Sequence, residues 1–275
     1  MSTSALRVTV VGAAGRMGAL TAATVAAQDD MRLAALVDAR WTVGAGGGPT
    51  AEPDLDPTAP PCFTTVAAAL TAVQTDVVVD FTVPDSVYEN VRAVLEAGLA
   101  AVVGTTGLSQ ERVAALERVR SEHDAHLFIA PNFALGAVLL MRFAADASRY
   151  FSAAEIVELH HPAKLDAPSG TALRTARLMR EAPGSLLAAP SRAGDVAAAV
   201  GPPSRGLDAD GIAIHSVRLP GLVAHQEVLF GGTGETLSVR HDSVSRESFM
   251  AGVMLAVRRV RELPETVVGL EHLMA

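Results

Sequence analysis

The stretch Glu155 to Thr171 reads EIVELHHPAKLDAPSGT, and almost every polar residue in it could handle a proton or an anion. A histidine ring titrates near neutrality and can give or take a proton. In a strand ending at this point, alternation puts Ile156, Glu158 and His160 on one face and Val157, Leu159 and His161 on the other, so the two histidines should do different work. Pro162 cannot donate to a sheet ladder and should release the chain into a loop carrying Lys164 and Asp166. Ser169 is placed to cap a helix over TALRTARLMR, leaving the N–H groups of Gly170 and Thr171 as an anion site. A lysine, a helix N-terminus and a titrating histidine together describe a small dicarboxylate being protonated or deprotonated. The plainer alternative, one packed and one exposed histidine beside a solvated lysine, would hold for an isolated pair. A metal centre is disfavoured, because adjacent residues on opposite faces cannot reach one ion and no cysteine or H-x-x-x-H lies nearby.

A second candidate site lies at the start of the chain. GAAGRMG, from Gly12 to Gly18, follows the β-branched run Leu6 to Val11 and opens a small-residue helix, Met17 to Ala27. In that setting a glycine turn brings backbone N–H groups to a pyrophosphate, so Gly12, Ala13, Ala14, Gly15, Arg16 and Met17 are candidate dinucleotide contacts. The spacing is G-x-x-G-x-x-G, and a tight turn needing only small residues is the alternative. Asp38, at the end of the next strand, Leu33 to Val37, is placed to accept hydrogen bonds from a ribose. Arg40 and Arg16 could instead meet a 2′-phosphate, so both NADH and NADPH remain open. The strand ends DFTVP (Asp80 to Pro84) and GTTG (Gly104 to Gly107) would complete the site, since open α/β sheets bind ligands at the carboxyl ends of their strands.

The elements that must position these residues follow from the pattern of apolar runs. Strands Val77 to Asp80, Ala101 to Val103 and Leu127 to Ile129 alternate with helices Ser86 to Ala97 and Ser109 to Glu122, which argues for a Rossmann-type doubly wound parallel sheet. The Gly- and Pro-rich segment 44–61 is a loop. Beyond Asn132 a long helix, Ala134 to Tyr150, precedes strands Ala154 to His160, Ile212 to Leu219, Gln226 to Phe230 and Thr236 to His241. No helix separates each pair of these strands, and GGTGE is a hairpin signal. This is an α+β domain with an open mixed or antiparallel sheet. The expected organisation is a dinucleotide-binding domain over 1–132, a substrate and oligomerisation domain over 133–241, and a final helix, Ser248 to Glu262, returning to the first domain within 242–275. The segment 181–211 reads as a surface excursion.

Composition narrows the partners. The 275 residues are 49% hydrophobic and carry a formal charge of −8, which gives no electrostatic reason to approach nucleic acid or an anionic membrane. Any anionic ligand must meet a local basic site. A single cysteine, Cys62, allows no intrachain disulfide. No run of about 18 apolar residues marks a membrane span, and no basic-then-apolar leader opens the chain, so the cytoplasm is expected.

These motifs resemble the dihydrodipicolinate reductase (4-hydroxy-tetrahydrodipicolinate reductase) family of the diaminopimelate and lysine pathway. ELHHPAKLDAPSGTA matches its signature E-x-H-H-x-x-K-x-D-A-P-S-G-T-A, and VGAAGRMG, DFTVP, VVGTTG, APNFALG, GLVAHQEVLFG and SVRHDS match its other blocks in order. The resemblance implies His160 as acid/base, Lys164 as second proton donor, and His161, Gly170 and Thr171 as substrate contacts. It assigns the cofactor to Gly12 through Met17, Asp38, Gly104, Thr105, Thr106, Ala130, Pro131, Asn132 and Phe133. In the family, hydride from the nicotinamide reaches C4 of a cyclic α,β-unsaturated imine and the neighbouring carbon is protonated. A cationic Lys164 near the ring nitrogen would stabilise the charge that develops. Some members carry a further histidine where this chain has Ala163. The family's usual homotetramer, built through the substrate domain's sheet, is the assembly the resemblance implies.

Overall fold

The computed structural model describes residues 5–41, 59–187, 206–209 and 211–274. Most of the loop 44–61 and of the excursion 181–211 lies outside the described residues. The chain divides into two units, Met1–Phe133 with Phe249–Ala275, and Ala134–Ser248.

In chain order the first unit contains β1 (Leu6–Val11), α1 (Arg16–Ala26), β2 (Met31–Val37), β3 (Cys62–Phe63), α2 (Val66–Ala72), β4 (Val77–Asp80), α3 (Pro84–Glu96), β5 (Ala100–Val103), α4 (Gln110–Glu122) and β6 (His126–Ile129). The second unit contains α5 (Leu135–Ala147), β7 (Ala153–His160), α6 (Gly170–Glu181), β8 (Leu207–Ala209), β9 (Ile212–Arg218), β10 (Ala224–Gly232) and β11 (Glu235–Ser243). The chain then supplies α7 (Met250–Arg259) and β12 (Val267–Val268) to the first unit.

The first unit is a parallel sheet in the order β12-β6-β5-β4-β1-β2-β3. Its central strands VVVD and AAVV are buried at every residue, as strands covered on both faces must be. Leucine and valine side chains of α3 and α4, including Val91, Leu95 and Leu116, pack on one face of the sheet. Strand order reverses between β1 and β4, and at such a switch point the carboxyl ends of neighbouring strands diverge and leave room for a ligand. The glycine turn, DFTVP, GTTG and APNF all follow strands at this end. A Cβ on Gly252 would lie 2.1 Å from the Phe133 carbonyl oxygen, so α7 approaches the end of the β6 segment at backbone distance, and only glycine fits there.

The second unit has a mixed sheet, β11-β10-β7-β9-β8, in which β7 and β9 are parallel and the other pairs antiparallel. Alternation buries Ile156, Ile212, Ile214, Val228 and Phe230, while α5 and α6 pack against the strands. The β10–β11 hairpin pairs Gly232 with Glu235 and turns through Gly234 at φ +79, a left-handed conformation that favours glycine.

The structure departs from the sequence reading in detail. The edge strands β3 and β12 and the short helix α2 are too brief for a periodic signal. The last helix is Met250–Arg259 flanked by 3-10 turns at Arg246–Phe249 and Val260–Glu262. The second unit runs to Ser248 instead of stopping at 241, because β11 continues to Ser243. Among the described residues no helix is long and apolar enough to cross a membrane.

Candidate active site

In the first unit the glycine turn is built by close backbone contact. Gly12 has φ +78, and a Cβ there would lie 2.6 Å from the Phe81 carbonyl oxygen; one on Gly18 would lie 2.1 Å from the Gly12 oxygen. The turn therefore needs glycine for packing as well as for conformation. Gly15 is the N-cap of α1 and makes no side-chain capping bond, so Arg16 and Met17 begin a helix whose first N–H groups suit an anion. Ala13 is buried and Ala14 exposed. The residues named from the sequence as pyrophosphate contacts lie in this turn and at the start of α1.

Asp38 closes the same turn. Its carboxylate, 5% exposed, accepts from the Ala14 N–H at 2.9 Å and from the Arg40 N–H at 3.0 Å. Arg40 Nε and a terminal nitrogen each lie 2.9 Å from its two oxygens. The Arg40 side chain, with the two backbone donors, holds the Asp38 carboxyl down at about 2 despite its burial. The sequence sets Asp38 and Arg40 against each other as ribose and phosphate partners; the structure pairs them.

A second buried carboxylate, Asp80, organises the adjoining strand ends. It is 2% exposed and accepts from the Thr82 N–H and hydroxyl, from Asn90 Nδ2 at 3.0 Å and from the Thr105 hydroxyl at 3.0 Å. Thr105 thus turns its side chain inward, while Thr106 is exposed. Gly104 is obligatory, since a Cβ would fall 2.0 Å from the Phe81 ring. Phe81, Phe133 and Phe128 pack edge to face at centroid distances of 5.9 and 6.2 Å, giving an apolar floor. Along the segment after β6, Ala130 and Phe133 are buried, Pro131 is exposed and Asn132 is half-buried.

In the second unit β7 delivers His160 beside Glu158, two residues earlier on the same face. Glu158 is fully buried. Its Oε2 accepts from His160 Nδ1 at 2.5 Å, and its two oxygens accept from Arg218 at 2.9 and 2.8 Å. The Ser169 N–H donates to Oε1 at 3.3 Å. Burial alone would raise the Glu158 carboxyl, but the bonds from Arg218, Ser216 and His160 outweigh it and hold the group below its ordinary value. Because an ionised carboxylate only accepts, His160 Nδ1 must carry the hydrogen, which leaves Nε2 as the titrating atom. Burial pushes His160 below its ordinary value against the pull of Glu158, and the cations Lys164 and Arg218 reinforce the downward shift.

Past β7 the Lys164 N–H bonds to the His161 carbonyl at 3.1 Å, closing a turn. Lys164 Nζ lies 2.8 Å from both oxygens of Asp166. Ser169 caps α6 by accepting from the Ala172 N–H at 3.2 Å, as the sequence predicts, and Gly170 and Thr171 form the first residues of that helix. A Cβ on Gly170 would meet nothing within 4 Å. His160, Lys164 and the start of α6 are therefore collected on one side of the second unit, and His161 is placed at the turn between them. Sequence reasoning missed the roles of Asp80, Glu158 and Arg218. Glu158 was within reach of the two-residue period of a strand, whereas Arg218 joins the site through the register of β9 against β7.

A Rossmann-type sheet bearing this glycine turn, in a chain that also gathers a proton-handling cluster, defines the class as nicotinamide-dependent oxidoreductase. Models of the N-terminal and C-terminal parts of dihydrodipicolinate reductase match residues 6–133 and 136–274. The 4-hydroxy-tetrahydrodipicolinate reductase of Mycolicibacterium smegmatis is 47% identical over 270 residues, covering 98% of this chain and 99% of that protein. The one from Geobacillus kaustophilus is 45% identical over 271 residues, with the same coverage. A dipicolinate-bound dihydrodipicolinate reductase from Paenisporosarcina sp. TG-14 superposes with a TM-score of 0.81 at 38% identity, over 98% of this chain and 99% of that one. The chain belongs to the dihydrodipicolinate reductase family, enzymes of diaminopimelate and lysine biosynthesis.

Asp80→Ala removes the shared acceptor of Thr82, Asn90 and Thr105. Leaving buried donors unsatisfied should cost about 1–3 kcal/mol, read as a lower urea midpoint, and should weaken nicotinamide cofactor binding. Parent-like stability and affinity would show that the strand ends hold their shape without the carboxylate.

Proposed function

We propose that the chain reduces 4-hydroxy-tetrahydrodipicolinate to tetrahydrodipicolinate with NADH or NADPH: the 4-hydroxyl leaves as water to give the cyclic unsaturated imine, C4 takes the hydride, and His160 and Lys164 supply the proton to the neighbouring carbon. The observation that carries the assignment of roles is the Glu158 contact. It commits Nδ1 of His160 and leaves Nε2 to exchange a proton, with the Lys164 loop and the start of α6 close by in the same unit. When bound, the nicotinamide supplies the hydride.

The chain's own residues hold a dicarboxylate and move the proton. Gly170 and Thr171 meet one carboxylate at the N-terminus of α6, where backbone N–H groups and the helix dipole favour an anion. Lys164 meets the developing negative charge, and His161 contributes to substrate binding. The Lys164–Asp166 pair fits this role: Lys164 is half-buried while Asp166 is 61% exposed, and an ion pair with a partner this open to water is worth only about 1 kcal/mol. A dianionic substrate can therefore replace Asp166 at small cost. The dipicolinate held by the Paenisporosarcina relative supports a planar dicarboxylate as the ligand class.

The first unit binds the cofactor through Gly12 to Met17, Asp38, Gly104 to Thr106 and Ala130 to Phe133; the second binds substrate and makes the contacts of a homotetramer. The enzyme works in the cytoplasm, where reduced nicotinamide is supplied. A dehydrogenase acting through a cysteine thioester is disfavoured: Cys62 begins the edge strand β3, and burial pushes its thiol up, away from the reactive thiolate.

The test follows cofactor absorbance while substrate is generated in situ from pyruvate and aspartate semialdehyde by their condensing enzyme. Oxidation should require both precursors and the condensing enzyme. In that assay His160→Gln should lower kcat by roughly 10²- to 10⁴-fold, the range for a positioned acid or base, with cofactor affinity unchanged. A kcat within about threefold of the parent would sink the assignment. Asp38→Ala should weaken NADH more than NADPH, since only the unphosphorylated ribose offers that carboxylate a 2′-hydroxyl. Equal losses would remove Asp38 from the ribose site.

A further inference from the structure

Arg218 is the cation whose bonds reach most of the proton-handling cluster, and the sequence reading gave it no role. It ends β9 opposite His160 in the parallel ladder, and its side chain is 19% exposed. One terminal nitrogen donates to Glu158 Oε2 at 2.9 Å and to the Val217 carbonyl at 2.8 Å. The other donates to Glu158 Oε1 at 2.8 Å and to the Asp166 carbonyl at 2.7 Å. Nε reaches the Lys164 carbonyl at 3.4 Å.

A guanidinium carries five N–H donors in a fixed planar fork and accepts nothing. All of them are spent on the protein, so this arginine offers no donor to a substrate carboxylate without giving up a bond it already makes. Its partners belong to separate segments: the strand bearing His160, and the loop bearing Lys164 between that strand and α6. Through Glu158 it also reaches the Ser169 N–H, where α6 begins.

We propose that Arg218 is the positioning residue of the site, its fork fixing the Lys164 loop by two backbone carbonyls and holding the Glu158 carboxylate that orients His160. It acts through those groups and touches neither substrate nor cofactor. The proposal rests on the reductase reading for the names of the groups it positions, but it concerns this chain's own contacts.

Two variants of the full chain separate positioning from simple stability. Arg218→Lys keeps a cation beside Glu158 but replaces the fork with a point charge that cannot span the carboxylate and both carbonyls. Arg218→Met combined with Glu158→Gln removes both charges together, so no buried charge is left unpaired; replacing a buried pair in this way is often neutral for stability. The readouts are kcat in the coupled assay, dissociation constants for dipicolinate and for the nicotinamide cofactor by calorimetry, and the thermal unfolding midpoint.

Arg218→Lys should lose roughly 10- to 100-fold in kcat, the range for outer partners that orient functional groups, and should bind dipicolinate more weakly. Its cofactor affinity should stay within about twofold of the parent. The double variant should show defects at least as large while unfolding near the parent midpoint. If Arg218→Lys fails to fold, the double variant is read against Glu158→Gln alone: it should bind dipicolinate more weakly than that single variant, because only Arg218 holds the Lys164 loop, and equal affinity would overturn the proposal. A double variant with parent-like kcat and dipicolinate affinity would overturn the proposal, as would an Arg218→Lys protein that loses cofactor and dipicolinate binding in equal proportion. A parent chain that binds dipicolinate yet oxidises no cofactor when both precursors are present would reject the reductase reading, and the positioning claim would then be judged on dipicolinate affinity alone.

Discussion

A carboxylate taken out of water survives in ionised form only when charges and donors surround it, and Glu158 is fully buried at the middle of the second unit's site. That single burial dictates much of what lies around it. Arg218 must supply a fork from β9, His160 must turn Nδ1 toward the carboxylate, and the Ser169 N–H must close the remaining side. Each of those bonds fixes a group to which the proposed reaction gives a role. The ring is left with Nε2 to titrate, the loop with Lys164 comes to rest on the arginine, and α6 begins at a defined place. A charge that is costly to bury thus sets the geometry of a site whose working atoms sit on an otherwise irregular loop.

The first unit meets a similar demand with different means. Asp80 is also buried, but its partners are hydroxyls, an amide and a backbone N–H. It joins the ends of β4 and β5 without a cation and keeps Thr105 turned inward. Asp38 is paired with Arg40 at the rim, where the arginine is 64% exposed. The pair leaves the Asp38 carboxylate ionised and tied to the backbone of the glycine turn through the Ala14 N–H. The glycines make the turn by steric necessity: at Gly12, Gly18 and Gly104 a Cβ would overlap neighbouring atoms.

Much of this was legible in the sequence because it is local. The run of strand, glycine turn and helix, the cap at Ser169, the hairpin through Gly234 and the fully buried strands all follow from short-range rules, and each is present. Residue type and spacing single out His160 and Lys164 as candidates. What escaped were elements too short to show a period, β3 and β12, and contacts made by register. Arg218 lies opposite His160 only because β9 pairs in parallel with β7 after a long excursion. Nothing in its neighbours RLPG distinguishes it from a solvated strand-end arginine. Arg40 shows the converse, since its nearness to Asp38 was visible in the sequence but their mutual pairing was not.

The role of His160 depends on which ring nitrogen carries the proton in the neutral form. Nitrogen-15 NMR of histidine-labelled protein, with His160 assigned by substitution, reads the tautomer directly and follows the ring through its titration. The structure predicts the Nδ1–H tautomer, a pKa below the ordinary value of about 6.5, and a further fall in Glu158→Gln, because the carboxylate that favours the imidazolium is then gone. An Nε2–H tautomer, or a pKa that rises when Glu158 is neutralised, would contradict it.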